Sequence, residues 1–406
     1  MTTNSIIDYF LSDFNKYIDK KSKIIKDSRY FNEEYIPEDI KFRDTQKEMI
    51  FFNIGQFIKF GMGSNMFLYG STGTGKTTLV KILNNGLNTI SIRNKIKLKV
   101  AYVNCKFISS KDTDYYLFKR IYESITNTFV KTGERKQELI ERVFRFVSEN
   151  DNKLLIILDE ADHILNKENI SELLYILLRN SDNNIKLIFV SNNITFVNSI
   201  DPRVRSSLSS MYFVNFPPYD YYQLKEILKD RAEKALVPGS ISEEGINFIA
   251  ARVAKTSGDA RVAINILKLS AMIVSAKGKE KIEIEDIKEA FENIDLDIIK
   301  SVVYQLNRNQ KIILFSLISR QLKSDNDYVT FSELYEEYVK NMEKLGLEPL
   351  DRTTVYKNLK TIELVLGNLF EQHNVSEGRK GYKKIMRLLL DQENLLKMYE
   401  EIKKNI

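Results

Sequence analysis

A four-residue apolar run, Met66–Tyr69, leads directly into Gly70-Ser-Thr-Gly-Thr-Gly-Lys-Thr77, and apolar residues at helical spacing follow at Leu79, Val80, Ile82 and Leu83. That order constrains the chain to strand, tight glycine loop and helix, the context that gives G-x-x-x-x-G-K-[ST] its meaning. Glycines let the backbone wrap around a phosphate, so that successive N–H groups and the helix N-terminus face the anion. The loop and the start of its helix are therefore the candidate nucleotide site. Lys76 would reach the β- and γ-phosphates, and the Thr77 hydroxyl would sit on a magnesium ion. ATP or ADP with Mg²⁺ is the expected cofactor set.

From about Thr45 to Pro218 short apolar runs alternate with helical patterns, the runs being 66–69, 97–104, 154–158, 186–191 and 211–215. Such alternation predicts an α/β domain, a parallel sheet covered by helices on both faces. Residues 219–300 hold no strand signal and read as a small helical domain, with helices over 221–236, 242–256, 259–276 and 284–293. Residues 301–406 restart with helices over 307–322, 330–345 and 351–366, then two strand-like runs, 369–374 and 382–388, around a basic turn. Thr330 and Glu333 form a capping box there, and three helices before a basic hairpin outline a winged helix. Residues 1–44 are an N-terminal arm that opens with an amphipathic helical pattern at Ile6, Phe10, Phe14 and Tyr17.

The 406 residues leave room for two or three domains. One cysteine, Cys105, excludes an internal disulfide, and two distant histidines argue against zinc. No apolar run approaches the roughly 20 residues of a membrane span, and the first residues lack a secretory pattern, so a cytoplasmic protein associated with the nucleoid and not with membranes is expected.

A second signal for nucleotide chemistry is Leu154-Leu-Ile-Ile-Leu-Asp159-Glu160, an apolar strand ending in two carboxylates. Adjacent strand residues point to opposite faces, so Asp159 would hold Mg²⁺ while Glu160 orients or deprotonates the attacking water. The next strand ends Val190-Ser-Asn-Asn193, not in the Ser-Ala-Thr of DEAD-box helicases; Asn192, or else Asn193, would bond the γ-phosphate or the water. Arg203, in Asp201-Pro-Arg203, would offer charge to a neighbouring subunit's phosphate, and Arg261, in Ser257-Gly-Asp-Ala-Arg261, would reach the phosphates from the helical domain.

Charge points to a second partner. Net charge is +6, and between Arg352 and Arg387 eight basic residues stand against three acidic ones. In the helix after Asp351, Val355, Leu359 and Ile362 are spaced to face the core, which leaves Arg352, Thr353, Tyr356, Lys357 and Lys360 outside. A helix of this kind enters the major groove of duplex DNA, and Arg379 and Lys380 in the hairpin turn suit phosphates or the minor groove.

The order of glycine loop, Asp-Glu strand end, Ser-Asn strand end, Asp-Pro-Arg and Gly-Asp-x-Arg resembles AAA+ ATPases, and the details resemble archaeal Orc1/Cdc6 replication initiators. Ile24-Ile-Lys-Asp27, Tyr35-Ile-Pro37 and Phe42-Arg-Asp-Thr-Gln46 are similar to that family's adenine-bracketing arm; Tyr102-Val-Asn-Cys105 with the helical stretch 112–125 is similar to its initiator-specific insertion. The resemblance implies nucleotide contacts at Gly73, Thr74, Gly75, Lys76, Thr77 and Thr78 in the loop and at Ile36, Pro37, Arg43 and Tyr222, sensor roles for Asn192 and Arg261, and DNA contacts at Lys119 and Arg120. It also implies binding of double-stranded origin DNA, slow switch-like ATP hydrolysis, help in loading the MCM helicase, and pairing with other Orc1/Cdc6 paralogues. In the finger motif the chain departs from eukaryotic relatives, which place arginine after Ser-Ser where this chain has Leu208. The rival readings are a non-hydrolysing, ADP-bound DNA scaffold and a clamp-loader-like AAA+ subunit.

Overall fold

The computed structural model describes residues 23–108, 112–131, 133–149, 152–165, 176–177, 184–192, 211–324, 328–376, 382–390 and 392–406. They form two compact units that divide between Ile287 and Lys288. The helical pattern expected over the first residues, and the calls at Arg203, Arg379 and Lys380, lie outside the described residues.

In the first unit, β1 (Met66–Tyr69), β2 (Leu98–Asn104), β3 (Lys153–Asp159), β4 (Ile185–Ser191) and β5 (Tyr212–Asn215) make one sheet in the order β2-β3-β4-β1-β5. Every pairing is parallel. Alternation along the strands builds two cores. Phe67, Leu154, Ile156, Leu158 and Phe189 face α3 (Thr113–Thr126) and α4 (Lys136–Glu149), while Leu68, Leu155, Ile157 and Val190 face α1 (Asp44–Phe60) and α2 (Lys76–Asn94). Cover on both faces is why these strands read as unbroken apolar runs.

The helical part of this unit contains α5 (Tyr221–Ala235), α6 (Glu243–Thr256) and α7 (Ala260–Lys277), started by Asp220, Ser242 and Asp259 as N-caps. Each carboxylate or hydroxyl satisfies first-turn N–H groups that no helical carbonyl can reach. The start of the described chain pairs with this helical part: Ile25 bridges Leu236, and the Val237 N–H donates to the Ile24 carbonyl.

One expectation fails at α8. It runs unbroken over Ile284–Gln305, where the sequence suggested an end near Asn293 and a fresh start after Asp297. The later turns carry Ile299, Val302 and Val303, all buried in the second unit's core, so packing holds the helix past the expected end.

The second unit continues with α9 (Arg308–Gln321), α10 (Phe331–Lys344), α11 (Arg352–Leu366) and α12 (Gln392–Lys404). Its antiparallel sheet, ordered β6-β8-β7, comprises β6 (Val329–Thr330), β7 (Phe370–Ser376) and β8 (Tyr382–Leu388). Thr330 and Glu333 make the expected capping box, and Asp351 accepts from the Thr353 and Thr354 N–H groups. The Gln321 amide both donates to and accepts from the Leu388 backbone, fixing α9 to β8 inside the core. The sequence reading missed β6 and α12; α12 is held by stacking of Tyr399 on Phe315, ring centroids 4.3 Å apart.

Candidate nucleotide site and candidate DNA face

The glycine loop connects β1 to α2, and no side chain caps α2, whose N-cap is Gly75. Its first N–H groups are therefore open to an anion. Two glycines are required by their surroundings. Gly73 sits at φ +65° with the Asp259 carboxylate where a Cβ would stand, and Gly75 at φ +91° would place a Cβ 2.6 Å from Ile40 Cδ1 and 2.8 Å from the Tyr219 hydroxyl. The loop is thus enclosed by the arm, the α7 cap and Tyr219, two residues before α5. The Ala260 N–H donates to the Gly73 carbonyl at 3.2 Å, joining α7 to the loop.

Lys76 folds back over the loop, donating to the Gly70 carbonyl at 2.8 Å and the Ser71 carbonyl at 2.7 Å. Burial pushes its ammonium down to about 8, and the nearby Arg261 guanidinium pushes the same way, against Asp159, Asp162 and Asp259. Arg261, exposed in the first turn of α7, thus adds to a positive field at the loop. Asp259 lies inside the Gly-Asp-x-Arg motif, yet the sequence reading assigns neither it nor Asp162 a role at the site.

At the end of β3 the Asp159 carboxylate is fully buried. Its Oδ1 accepts from the Thr77 hydroxyl at 3.1 Å and the Glu160 N–H at 3.0 Å, and its Oδ2 accepts from the Tyr102 hydroxyl at 2.6 Å. Burial and the carboxylate's charge raise Tyr102 well above the ordinary phenol range, so it stays a donor. Thr77 and Asp159 are hard oxygen donors brought together beside the glycine loop, a set that fits Mg²⁺. Glu160 adopts left-handed backbone at φ +51°, uncommon for a non-glycine residue and a mark of functional turns. Its carboxylate is only partly buried, with His163 Nε2 at 3.5 Å. Asn192 is exposed just beyond β4, while its neighbour Ser191 donates to Asp162 at 3.1 Å.

Arg43 has a contact set that the resemblance did not suggest. Its guanidinium is buried against the Tyr219 ring, 3.9 Å from the centroid, and donates to the carbonyls of Thr74 at 2.9 Å, Phe42 at 3.0 Å and Pro217 at 2.7 Å. It ties the loop to the segment entering α5. Ile36, Pro37 and Thr78 are half-buried, and Tyr222 is 75 % exposed on α5.

In the second unit Val355, Leu359 and Ile362 are buried, and Arg352, Thr353, Lys357 and Lys360 are exposed. Arg352 lies over the Tyr335 ring and donates to Ser332, which holds its guanidinium at the start of α11. Tyr356, half-buried, accepts from Lys384 on β8 at 3.0 Å, linking helix and hairpin. Lys119 and Arg120, on α3 of the first unit, share Glu123 at 4.0 and 3.8 Å, which offsets part of their charge.

Comparison with known proteins agrees with this architecture. An AAA domain model matches residues 62–195, a Cdc6 AAA+ ATPase-type lid domain model 225–292, and a CDC6 C-terminal winged helix domain model 301–398. The chain is 32% identical over 381 residues to an ORC1-type DNA replication protein of Pyrococcus abyssi, covering 91% of this chain and 88% of that one. It is 31% identical to ORC1-type DNA replication protein 1 of Archaeoglobus fulgidus, with 93% and 91% covered. Among solved structures it is similar to the Aeropyrum pernix ORC1 protein in complex with DNA, at TM-score 0.71 and 27% identity, covering 95% of this chain and all of that one. With an AAA+ sheet, a Cdc6-type lid, a C-terminal winged helix and identity above 30% over nearly its whole length, the chain belongs to the family of ORC1-type DNA replication proteins.

Proposed function

We propose that this protein is an ATP-dependent replication initiator that grips origin duplex DNA through its winged helix, with slow ATP hydrolysis as a switch. The observation that carries the reading is α11: an exposed face bearing Arg352, Thr353, Lys357 and Lys360 on a helix whose opposite face is core. Duplex recognition by such a helix needs cations for phosphates and side chains that reach base edges, and that face offers both. The solved DNA complex of the Aeropyrum pernix relative supports the same use here.

At the nucleotide site Lys76 and the open α2 N-terminus would receive the β- and γ-phosphates, and Arg261 would add charge from the lid. Thr77 and Asp159 would hold Mg²⁺, which when bound neutralises phosphate charge. Glu160 would orient and deprotonate the water that attacks the γ-phosphorus, while Asn192 fixes that water or the phosphate. Help in loading the MCM helicase and pairing with paralogous initiators belong to the same proposal; family membership supports them.

Footprinting on origin fragments tests the DNA half. Protection should be present in the unsubstituted protein and weakened in Arg352→Ala with Lys357→Ala; unchanged protection would remove the winged-helix reading. A single-turnover hydrolysis assay tests the other half, with Glu160→Gln expected to bind nucleotide yet lose about 100-fold or more in rate. A rate equal in the two proteins would leave a non-hydrolysing scaffold.

A further inference from the structure

The Asp159 carboxylate is held from a strand that carries none of the nucleotide motifs. Tyr102 lies on β2, paired with Ile157, while Asn104 pairs with Asp159 itself. Residues two apart on a strand share a face, so the Tyr102 side chain lies on the face that carries Asp159, its ring packed with the α1 and α2 core. That puts the hydroxyl 2.6 Å from Oδ2. Asn104, level with Asp159, is turned to accept from the Lys106 N–H instead.

A carboxylate has about four acceptor positions. Thr77 and the Glu160 N–H take two on Oδ1, and Tyr102 takes one on Oδ2. Two bonds to a single oxygen oppose rotation of the carboxylate about Cβ–Cγ at that oxygen alone; the third, on the other oxygen, opposes it at both. We infer that Tyr102 is a positioning residue for the cation-binding carboxylate, holding Asp159 so that one oxygen lone pair faces the Mg²⁺ of a bound nucleotide. Partners that orient a metal ligand commonly change metal affinity by about 10- to 100-fold when removed. The inference rests on the nucleotide-binding reading above.

Tyr102→Phe deletes the hydroxyl and keeps the ring in the core. The probe is a fluorescent N-methylanthraniloyl-ADP, titrated into the full chain in EDTA and at a series of Mg²⁺ concentrations. Affinity in EDTA should match the unsubstituted protein, because Lys76 and the loop are untouched. The Mg²⁺ concentration that gives the half-maximal gain in affinity should rise about 10-fold. An unshifted Mg²⁺ dependence overturns the inference, as does an equal loss with and without Mg²⁺, which would make Tyr102 a packing residue only. Failure of the unsubstituted protein to bind the probe at all would instead remove the nucleotide-binding reading on which the inference stands.

Discussion

Replacing Lys76 by methionine tests the electrostatics of the glycine loop most directly. Lys76 is 5 % exposed, and burial with the Arg261 charge moves its ammonium from the ordinary 10.5 to about 8. Keeping it charged in the folded protein therefore costs about 3.5 kcal/mol, at about 1.4 kcal/mol per pH unit. The unfolded chain keeps this proton up to about pH 10.5, while the folded chain releases it near 8. Between those values the unfolded state binds more protons, so stability rises with pH; the cost is full below pH 8 and gone above 10.5. Methionine removes the charge together with the bonds to the Gly70 and Ser71 carbonyls, which are worth about 1 kcal/mol each. Nucleotide-free Lys76→Met should then be about 1.5 kcal/mol more stable than the unsubstituted protein near pH 7 and about 1 kcal/mol less stable near pH 10. The change of that difference with pH reports the titration of the ammonium, and the pH at which the curves cross reports the charge against the lost hydrogen bonds. Urea unfolding followed by far-ultraviolet circular dichroism at half-unit steps from pH 7 to pH 10 measures it; the chain has no tryptophan to report by fluorescence. Curves that stay parallel over that range would refute the desolvated ammonium.

Four further variants test other contacts. Gly73→Ala forces a side chain onto the Asp259 carboxylate at a left-handed position, and should cost about 1–3 kcal/mol and at least about 10-fold in nucleotide affinity, read by calorimetry and fluorescent-ADP titration. Arg43→Ala leaves the Thr74 and Pro217 carbonyls without their buried donor; a loss of about 2–4 kcal/mol is expected, and an unchanged melting temperature would contradict the clamp. Lys357→Ala should lower the slope of log K against log salt for duplex binding by about 1. Lys119→Ala should change it less, because Glu123 already offsets that charge.

What was legible in the sequence follows from how local each signal is. The glycine loop, the strand ending in Asp159 and the cap at Asp351 are written in consecutive residues, so their placement could be read directly. The buried strands of the sheet were equally readable, because cover on both faces leaves unbroken apolar runs. Tyr102 and Asp259 could not be read as parts of the nucleotide site: one reaches Asp159 across 57 positions, the other lies against Gly73, and only the sheet register and the docking of α7 bring them there. Arg43 could be assigned by resemblance to a nucleotide contact, but its three bonds go to backbone carbonyls far apart in sequence. The continuity of α8 escaped notice because the residues that hold its later turns, Ile299, Val302 and Val303, bury against elements distant in sequence.

The bond from the Ala260 N–H to the Gly73 carbonyl, with Asp259 seated over the same glycine, bears on time as well as on affinity. A loop closed on one side by another element's first turn cannot release a clasped phosphate by its own fluctuations alone. Under the nucleotide reading proposed above, the dwell time of a bound nucleotide would depend on how often that first turn parts from the glycine. The contact would then set a rate of local opening that is separate from the rate of the chemistry.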